Sequence, residues 1–318
     1  VSPIPYNNLV SRTSAQALIP EVVANDLIGN LQNDSVALQM FRTLRMSTNQ
    51  TRLPILAALP TAYFVTGDTG LKQTTQVDWS NKYLNVEELA AIVPIPEAVL
   101  DDAAFDIWGN IMPLLRDALA RALDAAVIFG TNKPASWPAA IAVDAAAAGN
   151  VVNRSVGTPR TDKAGISGYF SDLFGTVEAD GFDVSGIAAN TSYKGLLRNV
   201  RDANGQQLPE VNANNVYGVP VKYPMRGLWP ASGVGAVEAI AGDFSQGILG
   251  IRQDITFKVL DQAVIQDNSG VIQYNLAQQD MVALRVVFRC AFQTANTLNY
   301  DQPTLANRYP FAVLKQAA

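Results

Sequence analysis

Residues 53–96 read LPILAALPTAYFVTGDTGLKQTTQVDWSNKYLNVEELAAIVPIP, and the fold turns on this stretch. Leu53–Val65 is strand-like, with Pro54 and Pro60 confining it to an edge or leaving it irregular, because proline cannot donate to a ladder. Gly67, Asp68 and Gly70 supply turn residues, and Lys72–Gln76 is polar. Beyond them Val77, Trp79, Asn81, Tyr83 and Asn85 alternate with Asp78, Ser80, Lys82 and Leu84, a composition that favours a strand. The run continues through Val86–Pro94 to Pro96. These are the two arms of a long hairpin with a reach of about 40–50 Å at ~3.3 Å per residue. A two-stranded ribbon is marginal in water by itself, so it needs a partner surface or must fold back into a larger sheet of its own domain.

The flanks extend the pattern. Val1–Ile19 is polar and aperiodic with Pro3 and Pro5, and reads as an extended arm. A short helix is expected over Glu21–Leu31, and an amphipathic piece over Ser35–Leu44 with Ser35 as N-cap. After the hairpin comes a long helix, Ala103–Phe129, capped by Asp101 and Asp102 and stopped by Gly130. Its apolar stripe is Ile107, Ile111, Leu114, Leu115, Ala118, Ala122, Ala125 and Phe129, with a kink or break expected near Ile111 from Pro113. Thr131–Thr161 reads as an irregular connection and a domain boundary. Helices follow near Gly168–Glu178 and Ser192–Arg201. Strands are expected at Gly186–Asn190, Val216–Val221, Val237–Ala241, Gly247–Ile251, Thr256–Val259, Gly270–Tyr274 and Asp280–Phe292. No internal repeat is present.

Composition removes whole classes of function. The 318 residues include no histidine, which excludes the usual catalytic triads and most zinc or iron sites. The single cysteine, Cys290, forms no internal disulfide and no thiolate cluster. The net charge is −5 with no strongly basic segment, which argues against binding by phosphate neutralisation. No stretch approaches the ~20 apolar residues of a membrane span, and no signal-peptide pattern opens the chain. Because the chain opens on Val1, removal of an initiator Met or a longer leader is expected. Only 16% of residues are charged against about 25% in an average domain. Much of the surface is therefore expected to meet other chains.

Order and spacing together resemble the major capsid protein family of tailed double-stranded-DNA bacteriophages, the Hong Kong-type capsid fold. The residues carrying the resemblance are Leu18-Ile19-Pro20-Glu21 through Met46, the hairpin Leu53–Ile92 with Gly70-Leu71-Lys72, and Ala98-Val99-Leu100-Asp101-Asp102 before the long helix. Tyr217-Gly218-Val219-Pro220-Val221, Gly242-Asp243-Phe244-Ser245, Ile251-Arg252 and the strand Met281–Arg289 complete it.

The resemblance implies an α+β chain organised as an N-terminal arm (1–51), an extended hairpin loop (52–97), a peripheral domain with a spine helix (98–162), an axial domain (163–256), and return strands of the peripheral domain with a C-terminal segment (257–318). It implies a non-enzymatic subunit without cofactors that assembles with its own copies into hexamers and pentamers of an icosahedral head. That head would enclose double-stranded DNA through non-specific interior contact. Scaffold, portal and decoration proteins are further expected partners, with no membrane, in a virion assembled in the host bacterial cytoplasm. Pro20, Leu53, Tyr63, Lys72, Trp79 and Tyr83 are the expected inter-subunit contacts, along with the loops of 202–215.

Some family members weld their shells by an isopeptide bond between a loop lysine and an asparagine of another subunit, assisted by a glutamate. Lys72 matches the lysine, but Asp280 stands at the asparagine position and Val287 at the glutamate position. Both departures count against the reaction, since an ionised carboxylate is a poor acyl acceptor and valine cannot take a proton. A strongly raised Asp280 pKa in a dry contact would rescue it.

Other readings are an encapsulin-like nanocompartment shell and, from a different class, a histidine-free hydrolase using Glu87, Glu88, Glu97, Asp101 or Asp102. Gly130-Thr131-Asn132-Lys133 lacks the full phosphate-loop spacing and reads as a helix exit. Cys290 reads as a small buried hydrophobe. Trp79, Trp108, Trp137 and Trp229 are scattered rather than aligned along a basic groove. Asn49-Gln50-Thr51 and Asn190-Thr191-Ser192 match the glycosylation sequon without a secretory context.

Overall fold

The computed structural model describes residues 35–65, 70–72, 74–102, 106–155, 165–201, 204–224, 227–229 and 235–317. Pro20 and the expected helix over Glu21–Leu31 lie outside the described residues. The first half of the chain contains α1 (Val36–Met40), β1 (Arg42–Arg45), β2 (Gln50–Ala58), β3 (Asp78–Asn85), β4 (Glu87–Pro96), α2 (Glu97–Asp101), α3 (Ile107–Asp124), α4 (Ile141–Ala147) and β5 (Val151–Arg154). The second half contains α5 (Gly165–Ala179), β6 (Gly186–Ala189), α6 (Tyr193–Arg198), β7 (Val211–Asn212), β8 (Asn215–Val216), β9 (Val219–Lys222) and β10 (Val237–Gly242). It continues with β11 (Gly247–Leu260), β12 (Val264–Gln266), β13 (Ile272–Asn275), β14 (Met281–Thr294) and β15 (Phe311–Gln316).

Two sheets organise these elements. One has the order β1-β11-β14-β4, the other β5-β15-β10-β6-β9-β8-β7, and β2-β3 and β12-β13 stand as separate two-stranded ribbons. The long apolar run of β14 lies between β11 and β4, antiparallel to both, with Leu284 opposite Val259 and Val93. The seven-stranded sheet is buried on both faces, and the period of two distributes its side chains. Ile187, Ala189, Ala239, Ala241, Ala312 and Leu314 pack with Phe170, Leu173 and Val177 of α5. Ala188, Ile240, Phe311 and Val313 point the other way, into a core shared with α3, α4 and β14. Phe244 bridges the two sheets, stacked on Phe41 at 5.6 Å and edge-on to Phe311 at 5.2 Å.

Several expectations are corrected. The piece from Ser35 to Leu44 is not one helix. Ser35 does cap α1, accepting from the Leu38 N–H at 3.1 Å, but Phe41 is extended and residues 42–45 pair in parallel with β11. Burial of the Phe41 ring beside Phe244 and Phe292 fixes that exit. The first hairpin arm is shorter than Leu53–Val65, ending at Ala58 before Pro60. The second arm ends at Asn85. Residues 87–96, placed with the hairpin from sequence, join the four-stranded sheet instead, because their apolar alternation fits the face of β14.

Asp101 and Asp102 do not cap the long helix. Asp101 closes the short α2, and Asp106 is the cap, accepting from the Gly109 N–H at 3.0 Å. The helix runs through Pro113 without a break. Its buried stripe is Leu115, Leu119 and Leu123, rotated by one position from most of the expected one and leaving Leu114, Ala118 and Ala122 exposed, because a row of three leucines carries more apolar area than a row of one leucine and two alanines. The helix passes into a single π turn, Ala125–Phe129, and Gly130 at φ 79° ends it.

The stretch 131–161 is not merely connection. The Ala-rich α4 packs on β15, and β5 is an edge strand paired in parallel with β15. Gly247–Ile251 and Thr256–Val259 form one strand, β11, interrupted by bulges. β15 had no sequence expectation, and it draws the C-terminal segment into the seven-stranded sheet. The boundaries at 162 and 256 therefore cut across both sheets.

Candidate inter-subunit surfaces

The ribbon β2–β3 is built with a fixed root and a bare tip. At the root Leu84 is fully buried with Met46 and Ala291, and Leu53 packs against that cluster. The Lys82 ammonium donates to the Thr294 carbonyl at 2.8 Å, the Gln293 amide to the Tyr83 carbonyl at 3.1 Å, and the Trp137 indole to the Asn85 carbonyl at 3.1 Å. Burial holds the Lys82 pKa below the usual lysine value, Asp144 opposing and Arg308 adding to the shift.

Farther out the apolar side chains face solvent. Phe64 is 102% exposed, Leu71 88% and Trp79 70%, and Tyr63 and Tyr83 are exposed too. Three of the expected contacts, Tyr63, Trp79 and Tyr83, thus lie on one exposed ribbon with Lys72, while Leu53 sits at its root. The Tyr300 hydroxyl donates to the Pro60 carbonyl of the outer ribbon at 2.7 Å, tying it to the body.

Sequence reasoning marked Gly270–Tyr274 as a strand but not as a contact. It belongs to a second projecting ribbon, β12–β13, on which Val264, Val271, Ile272 and Tyr274 are exposed. The turn is held by Asp267, whose carboxylate accepts from the Ser269 and Val271 N–H groups, each at 2.9 Å. Those bonds pull its pKa below the ordinary aspartate value. Two solvent-facing apolar ribbons on one chain match the low charge content noted from composition.

The chemical candidates are dispersed. Lys72 is exposed on one ribbon, while Asp280 sits exposed at φ 49° just before β14, its carbonyl accepting from the Glu97 N–H, and Val287 is buried in β14. The subunit gives Asp280 no dry contact. Glu88, near the start of β4, and Glu97, the first residue of α2, are separated by the length of the strand, about 30 Å at ~3.3 Å per residue, beyond the ~6.5–9.5 Å of an inverting carboxylate pair. Burial pushes the Cys290 thiol up to about 12, consistent with a packing role. Lys133 donates to the Pro134 and Trp137 carbonyls and so closes the helix exit rather than a phosphate loop. Among the described residues no cluster has the composition to hold a metal ion, and no helix is long and apolar enough to cross a membrane.

Comparison with known proteins places this geometry. A family model described as the phage capsid family matches residues 15–297. A solved structure from Microbacterium phage Oxtober96 is 37% identical, covers 97% of this chain and 100% of its own, and superposes with a TM-score of 0.81. One from Mycobacterium phage Bobi is 34% identical over 98% of this chain and 100% of its own, at 0.82. The capsid of a native GTA particle, at 19% identity, 98% and 100% coverage and a TM-score of 0.66, shares the fold. No curated protein matches. The α+β architecture is the Hong Kong-type capsid fold, and the chain is a structural major capsid subunit. The chain belongs to the phage capsid family.

Proposed function

We propose that the chain assembles into hexamers and pentamers of a closed icosahedral head around double-stranded DNA, within the host bacterial cytoplasm. The seven-stranded unit is the axial domain, and the four-stranded sheet with α3 is the peripheral domain. The N-terminal arm around Pro20 and the ribbon carrying Tyr63, Lys72, Trp79 and Tyr83 reach onto neighbouring subunits. Scaffold, portal and decoration proteins complete the set of partners. DNA meets the interior without sequence reading, since confinement rather than phosphate neutralisation holds it.

The observation that carries this reading is the exposure of Phe64, Leu71 and Trp79 on one ribbon, an apolar surface that a soluble monomer would cover. Deleting residues 66–78 tests it. The expected product is a folded subunit that forms no closed shells in electron micrographs, and particles of normal size and stability would show the mechanism to be wrong. Purified particles are expected to contain DNA rather than a cargo protein. On a denaturing gel they are expected to run as single chains, with Lys72 and Asp280 unlinked.

A further inference from the structure

The sheet β1-β11-β14-β4 has a core face and an outer face. Leu284, Val286, Phe288, Cys290 and Phe292 of β14 pack into the core with α3, so the period of two turns Arg285, Val287 and Arg289 outward. On the outer face Lys258 of β11 stands directly opposite Arg285, with Ile92 of β4 on the other flank of Arg285. Like charges directly opposite each other destabilise a sheet. Among the described residues neither cation has a carboxylate partner, and the Arg285 Nε is buried without an acceptor. Farther along, Arg289 meets Glu88 only at 4.0 Å, and its Nε also lacks an acceptor. Ala90 and Ile92 lie exposed beside these cations. The occupant that fits is acidic, apolar and free of cations.

Residues 13–34 have that composition. They contain Glu21, Asp26 and Asp34 and no Lys or Arg, with Val22, Val23, Leu27, Ile28 and Leu31 among the acids. The β2–β3 ribbon does not fit, since it carries Arg52, Lys72 and Lys82. The β12–β13 ribbon lacks cations too, but its tip carboxylate, Asp267, is spent on Ser269, Val271 and Gln273 of its own turn.

The same chain does not reach its own outer face. Ser35 and Val36 are bonded to Asp124, in the layer of α3 on the core side. Layers pack about 10 Å apart, so the far surface lies about 20 Å away straight through the sheet and farther around its edge. With the helix expected over Glu21–Leu31, three extended residues and five helical ones bring Asp26 only about 18 Å from Ser35.

We infer that the outer face around Lys258 and Arg285 receives the acidic segment 20–34 of a second copy of the chain, whose carboxylates relieve the opposed cations. The inference rests on the shell reading above and names the surface that the arm reaches.

Lys258→Glu tests it, because the new carboxylate pairs with Arg285 inside the subunit and repels the arm. The unassembled subunit is expected to melt no lower than wild type while the yield of closed particles falls about tenfold; a purely structural role would move both the same way. Adding Glu21→Lys and Asp26→Lys is expected to restore most of the yield. Position is read by Asn25→Cys with Thr256→Cys, the latter exposed on the outer face opposite Val287. Oxidised particles are expected to give a ladder of linked chains on a non-reducing gel. Wild-type yield from Lys258→Glu, a link confined to single chains, or no link would overturn the inference and leave the shell reading standing. Particles of normal yield that lose their DNA would assign the cations to phosphate and overturn it as well. A wild-type chain that never forms particles would remove both readings.

Discussion

The backbone N–H of Val36 donates to the carboxylate of Asp124 across 2.9 Å, joining the start of the described chain to the end of the long helix. The Ala37 N–H reaches the same carboxylate at 3.1 Å, and the Ser35 hydroxyl bonds to it as well. Asp124 is fully buried, so one side chain from a distant helix satisfies the open N-terminal donors of α1 and fixes that short helix against the long one.

Asp124→Ala leaves those donors buried without acceptors and is expected to lower subunit stability by about 2–4 kcal/mol, read by urea denaturation. Burial raises the Asp124 pKa above 3.8, its hydrogen bonds opposing the shift. The folded state then holds this proton more tightly than the unfolded chain, so its contribution falls as pH rises from 3.8 through the raised folded value. Asp124→Asn removes that slope. Parallel melting curves with and without the substitution check it, and identical pH dependence would count against the assignment.

Leu84→Ala empties the fully buried position at the root of the ribbon. A loss of about 2–4 kcal/mol is expected. Hydrogen exchange in β3 should quicken more than in β14 if the root is what anchors the ribbon.

Phe64→Ser and Trp79→Ser change side chains that touch mainly solvent in the subunit. Stability should move by less than about 0.5 kcal/mol. Particle yield should fall, and a melting temperature lowered along with assembly would locate these rings in the subunit core instead.

Gly242→Ala places a Cβ 2.2 Å from the Pro310 carbonyl oxygen, a backbone atom that cannot swing aside. The close approach of β10 to the turn before β15 would be lost at a cost of about 3 kcal/mol. Loss of soluble expression or a steep drop in melting temperature is the readout.

The elements legible in the sequence are those whose pattern has one physical solution. β14 is a long apolar run bounded by polar residues, α5 repeats aromatic and aliphatic positions at helical spacing, and Ser35 precedes an apolar turn in the way a cap must. The break between β3 and β4 was hidden because Val86 and its neighbours continue the same alternation, while only the choice of partner strand changes. The rotation of the α3 stripe followed from alanines counted equal to leucines, and β5 and β15 depend on each other across the chain. Of the two exposed ribbons, the first was legible from its length. The second was not, because Val264 and Ile272 look like core residues until their exposure is known.

The tie between Tyr300 and Pro60 lies in solvent, where a hydrogen bond is worth about 1 kcal/mol, whereas the opposite end of the ribbon is clamped by Leu84 and Lys82. A leaf held firmly at its stem and lightly pinned near its blade bends for little energy. Identical subunits that met at unequal angles would find in such a ribbon a contact that follows the angle instead of resisting it.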